Sequence, residues 1–127
     1  MKSTPLLLII LSFVTGCVST RLAQLPKPEG QYAPAIYAAA SVGFSSDRAA
    51  TLRDIAGKSD ITEAEQIYLL ETLQITGGFS DDKKEVLLAL LGNRAVTDAT
   101  KRRMSEMLPR LGLFSSDAKA VADALAG

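Results

Sequence analysis

The chain predicts an all-α fold: about five helices in 35-residue helix-turn-helix repeats, two and a half units in all, preceded by a signal peptide and a Pro-rich tether. Three observations carry this. Phe44-Ser45-Ser46-Asp47 returns as Phe79-Ser80-Asp81-Asp82 and again as Phe114-Ser115-Ser116-Asp117, and the register persists through Leu52, Leu87 and Ala122, through Ile55, Leu90 and Leu125, and through Thr62 and Thr97. Each apolar run is bracketed by helix-starting and helix-ending residues. Alanine and leucine dominate a chain with 6% aromatic residues and neither tryptophan nor histidine, a composition that favours helices packed through aliphatic side chains.

Residues 1–16 read as a leader. Lys2 supplies the positive start, Leu6 to Val14 the apolar stretch, and Thr15-Gly16 the small residues before a cleavage point. The stretch is shorter than the roughly 20 residues a bilayer-spanning helix needs. Val14-Thr15-Gly16-Cys17 ends it with the only cysteine of the chain, and this run resembles the lipobox of bacterial lipoproteins. The resemblance implies cleavage before Cys17, a thioether from its sulfur to diacylglycerol, and attachment to a membrane through that lipid. Two or three acyl chains hold a protein stably where one does not. Val18, where an aspartate resembles an inner-membrane retention signal, leans toward the outer membrane, facing the periplasm, if the organism is Gram-negative.

Residues 17–43 follow as lipidated cysteine and tether. Pro26, Pro28, Gly30 and Pro34 predict a semi-extended spacer that could reach on the order of 45–50 Å. Residues 35–42 read either as a short helix docked on the domain or as a connector, with Ile36 and Tyr37 expected to pack on the first repeat.

Residues 44–127 form the repeat domain, with helices expected at about 46–57, 62–75, 80–92, 97–111 and 115–126. Ser45, Ser80 and Ser115 are the expected N-caps, followed by first-turn acids. Gly57 and Gly92 are expected to end the first helices in left-handed conformation, and Gly77 and Gly112 the second helices. Thr62 starts a second helix with Glu65 placed for a capping box, whereas Thr97 faces Thr100 at that position. Pro109 should kink or shorten its helix. Val86, Leu87, Leu90 and Leu91, then Ile67, Leu70 and Leu73 with Leu69 beside them, then Met104, Met107, Leu108 and Leu111 are the expected core faces. The three phenylalanines are expected to plug the junctions between helix pairs.

The period is close to that of tetratricopeptide repeats, but their Trp-Leu-Gly-Tyr series is absent. Phe44, Asp47, Arg48, Thr62, Gln66, Phe79, Asp82, Lys83, Phe114 and Asp117 resemble a helical domain-of-unknown-function family with Phe-x-x-Asp-Arg/Lys repeats. That resemblance implies a fold and no activity. Arg48 and Lys83 are expected to be solvent-exposed cations beside capping acids.

With 14 basic and 14 acidic side chains, the chain lacks the basic excess of a nucleic-acid binder. No phosphate loop or nucleophile elbow occurs. Ser80 and Lys83, like Ser116 and Lys119, have Ser-x-x-Lys spacing without the accompanying motifs of penicillin-binding enzymes. Asp60 to Glu65 lacks the glycine and ligand alternation of a calcium loop. No cofactor, metal site or catalytic set is expected. Arg94, Lys101, Arg102, Arg103 and Arg110 form the one basic cluster, a possible interaction surface. The expectation is therefore a membrane-anchored, non-catalytic lipoprotein with a binding or scaffolding module for a protein or peptide. An immunity or phage-exclusion lipoprotein is the alternative, and a small carboxylate-dependent enzyme a remoter one.

Overall fold

The computed structural model describes residues 17–42 and 46–127, with side chains described from residue 21 to 42 and from 47 onward. The described residues form helices and no strand: α1 Cys17–Gln24, α2 Ala33–Ser41, α3 Ser46–Ala56, α4 Glu63–Ile75, α5 Ser80–Leu91, α6 Asp98–Met107 and α7 Ser115–Ala126. A 3₁₀ turn, Leu108–Arg110, follows α6. It begins one residue before Pro109, which cannot supply the amide that would continue the α-helix.

The five expected repeat helices are α3 to α7, and they stack in two layers. The first helices of the units, α3, α5 and α7, pack side by side, and the second helices α4 and α6 pack on each other behind them. α2 packs on α4 as α4 packs on α6, and it also touches α3. It therefore occupies the place of a second helix from a preceding unit. The core runs continuously through both layers, with Ile36, Leu69, Leu70, Leu87, Leu90, Met104 and Met107 withdrawn from solvent. The expected apolar stripes are thus core faces except at Ile67, which is only partly buried, and Ile36 packs on the first repeat.

The tether is where expectation and structure differ most. Residues 17–34 are not a semi-extended spacer. α1 packs on α2 and α4, and Leu22 is buried. Behind it, Glu65 accepts the Tyr32 amide at 2.6 Å. Asp60 accepts the Gln31 amide at 2.6 Å and the Tyr32 hydroxyl as well. Gly30 has φ 151°, and a Cβ there would stand 2.5 Å from the Glu65 carboxylate, so glycine is required for this approach. The prolines restrict the segment, but they restrict it into a docked conformation.

The helix starts divide into two kinds. Thr62 caps α4 in a full capping box: its hydroxyl accepts the Glu65 amide at 3.2 Å while Glu65 accepts the Thr62 amide at 3.0 Å. Thr97 caps α6 through the Thr100 amide alone. At α5 and α7 the expected serine caps fail. Phe79 and Phe114 hold the cap positions through their backbones, and Ser80 and Ser115 already lie in the helix. Ser45 and Phe44 lie outside the described residues. The glycine expectation also needs correction, because Gly92 has φ −78° and only Gly30 and Gly112 have positive φ among the described residues.

Arg48 and Lys83 are buried, not exposed as the sequence suggested. Arg48 donates to the Gly77 carbonyl at 2.8 Å, and Lys83 to the Leu111 carbonyl at 2.8 Å. Each reaches from the first helix of its unit to the exit of the second helix, where carbonyls lack helical partners. Desolvation pushes both cations below their ordinary pKa, and each also feels its charged surroundings. The third unit has Ala118 at this position, and among the described residues no second helix follows α7.

Two amides join consecutive units. Gln66 donates to the Ala95 carbonyl at 2.8 Å and accepts the Thr97 amide at 3.3 Å. Asn93 donates to the carbonyls of Ala56 and Lys58, both at 2.8 Å. Each ties one unit's inter-helix loop to its neighbour.

Candidate functional site

The two described repeat phenylalanines are not plugs. Phe79 is 70% exposed and Phe114 73%. Both stand in the extended residue just before a first-layer helix, and that backbone turns the ring away from the stack. By helical count they stand seven residues before the buried Val86 and Val121, in phase with the apolar faces, and only the extended backbone at each cap takes the rings out of that phase.

Between them lies an open groove of about 510 Å³, lined by Gly78, Phe79, Ser80, Asp81, Asp82, Gly112, Phe114 and Asp117. Its floor is built by Ser80, which donates to Asp117 at 2.5 Å and accepts the Phe114 amide at 2.8 Å. One buried hydroxyl thus fixes the start of α7 against the start of α5. Lys84 spans the same edge, at 2.9 Å from Asp81 and 3.5 Å from Asp117. The hydrogen bond to Asp81 raises its pKa; desolvation opposes this, and the charges of Asp81 and Asp117 add smaller raises. The groove combines aromatic edges with carboxylates, an arrangement suited to an apolar side chain beside a cation.

The same hydrogen bonds explain the Ser-x-x-Lys spacing. Ser80 is committed to Asp117 and Phe114, and Lys83 to the Leu111 carbonyl, so the spacing serves packing between units. The carboxylates of Asp60 and Glu65 hold the N-terminal arm. Among the described residues no group of three or more His, Cys, Asp or Glu side chains is placed to hold a metal ion.

The remaining sequence-predicted residues do not line this groove. Cys17 opens α1, and its side chain lies outside the described ones. Arg94, Lys101, Arg102 and Arg110 are exposed. Arg103 and Arg110 converge on Glu106, the first 3.9 Å from its carboxylate and the second 3.4 Å from its carbonyl. Lys101 and Arg102 make no ion pair among the described residues. No described helix is long and apolar enough to cross a membrane.

Comparison with protein-family models, with curated proteins and with solved structures finds no match to this chain.

Proposed function

We propose that this protein is a lipoprotein, held to a bacterial membrane through Cys17, whose helical stack is a non-catalytic binding module for a protein or peptide segment. The observation that carries the binding reading is the pair of exposed rings, Phe79 and Phe114, at one repeat position on either side of a carboxylate-lined groove. Large aromatics exposed on a surface are costly to solvate and recur as anchors in binding sites. The favoured ligand is an extended segment with an apolar side chain and a neighbouring lysine or arginine. The outer membrane, facing the periplasm, is the expected address in a Gram-negative organism.

The anchor reading rests on Val14-Thr15-Gly16-Cys17 behind the apolar leader. The docked arm gives it a different geometry from a long leash. Leu22 is buried five residues after Cys17, about 7–8 Å along a helix, so the stack would ride close to the lipid headgroups.

Two experiments separate the parts. Cys17→Ser should move the protein to the soluble fraction and abolish fatty-acid labelling; retention in the membrane would end the anchor reading. Crosslinking in intact cells should recover a reproducible partner that is lost with Phe79→Ala and Phe114→Ala together. Recovery unchanged by the double substitution would place binding elsewhere.

A further inference from the structure

Among the described residues the stack begins with a second-layer helix, α2, and ends with a first-layer helix, α7. Its two ends are therefore complementary halves of the same packing. At the start, the place for a first-layer helix before α3 is open, a groove of about 380 Å³ lined by Ala35, Ala38, Val42, Asp47 and Thr51. At the finish, the place for a second-layer helix after α6 is open, a groove of about 340 Å³ lined by Ser105, Leu108, Ala118, Lys119 and Ala122. The residues one and two periods along from Ala35 and Ala38 are Leu70 and Leu73, then Ser105 and Leu108. Leu70 and Leu73 are buried, because in mid-stack both neighbouring places are filled. Val42 remains 55% exposed on the uncovered end.

We propose that copies of this chain associate head to tail, with α7 of one copy in the groove between α2 and α3 of the next, and that copy's α2 in the groove between α6 and α7 of the first. Charge supports the register. Within the chain, Lys84 of α5 pairs with Asp117, the first-turn aspartate of the following first-layer helix. One period on, Lys84 becomes Lys119, and the following first-layer helix is α3 of the next copy, whose first-turn aspartate is Asp47. Lys119 lines one groove and Asp47 the other. Among the described residues Lys119 pairs within its own helix, 2.8 Å from Asp123 with both side chains largely exposed, so redirecting it costs little. α1 packs on α2 and α4 and contributes no residue to the lining of either groove. The contact is heterologous and does not close on itself, so it extends as a linear array. Smaller residues at both ends than in mid-stack make it a weak contact, favoured where molecules are concentrated. The inference stands apart from the anchor and from the phenylalanine groove.

The test uses the full chain carrying Cys17→Ser and Asp47→Cys, with a benzophenone on the new thiol, mixed with an isotope-labelled Cys17→Ser copy. Illumination should join residue 47 to a peptide within 115–126 of the labelled copy. Lys119→Glu in the acceptor should lower that yield, up to about fivefold for an exposed pair, and the Asp47→Lys chain should recover its association with the Lys119→Glu chain in sedimentation. Attachment to residues 1–16 of the same chain would show an internal occupant and overturn the proposal. So would attachment around residue 47 of the other copy, which indicates a closed dimer, or absence of intermolecular product at every concentration.

Discussion

The middle and the end of the stack carry matching residues that do different work. α5 withdraws Lys83, Val86, Leu87 and Leu90 from solvent, whereas α7, with the same Phe-Ser-x-Asp start, buries Val121 alone. The position held by Leu87 in the middle is held by Ala122 at the end, and that of Lys83 by Ala118. A repeat position has no fixed environment of its own; the helices on either side of it decide what it touches. Where a neighbour is present, the position takes a large apolar side chain or a donor for the neighbour's loose carbonyls. Where it is absent, a small residue suffices.

The sharpest way to break this comparison is to exchange the matched residues. Leu87→Ala empties a fully buried site and should cost about 2–5 kcal/mol in urea denaturation. Ala122→Leu, on an exposed face, should stay within about 0.5 kcal/mol. Comparable losses at both would show that the end is as tightly packed as the middle. The joint between units comes next. Gln66→Ala leaves the Ala95 carbonyl and the Thr97 amide without their side-chain partner and should cost about 1–3 kcal/mol. A near-neutral result would mean that water replaces the amide. Lys83→Met should also cost about 1–3 kcal/mol, since the Leu111 carbonyl loses its donor. Ala118→Lys, with no exit loop beside it among the described residues, should be almost silent by the same measurement. Phe79→Ala is expected to change stability by less than about 0.5 kcal/mol because the ring is outside the core. A loss of several kcal/mol would restore the plug that the sequence suggested.

The smallest effect concerns the docked arm and is read by pH. Accepting the Tyr32 hydroxyl holds Asp60 below its ordinary value of 3.8, helped by the Gln31 amide, while the same bond raises Tyr32 above 10.0. The aspartate's contribution is present above 3.8 and is lost as pH falls through its lowered folded value. The tyrosine's contribution is present below 10.0 and is lost as pH rises through its raised folded value. Protection of the arm against amide exchange or proteolysis should therefore weaken at both extremes. In Asp60→Asn the acid limb should flatten; an unchanged acid limb would assign it to other carboxylates.

Much of the repeat was legible because its signals are local. Thr62 with Glu65 three residues on, the three- and four-residue spacing of Leu87 and Leu90, and the proline that ends α6 each act within one or two helical turns. The groove was not legible, because it joins Phe79 to Phe114, a full repeat apart in the chain. The exposure of those rings follows from the extended backbone before each first-layer helix. The buried cations were misread for a related reason. A charge beside a capping acid looks like surface until the exit of another helix arrives to use it.

The sequence by itself determined the five repeat helices, the threonine caps of α4 and α6, the period that stacks them and the candidate lipid address at Cys17, since all of these are encoded in neighbouring residues. Only the tertiary structure decided that the proline-rich arm docks, that Arg48 and Lys83 go inside, and that two phenylalanines stay out. Those outcomes depend on carbonyls, carboxylates and backbone turns about 30 residues away, which no local pattern specifies.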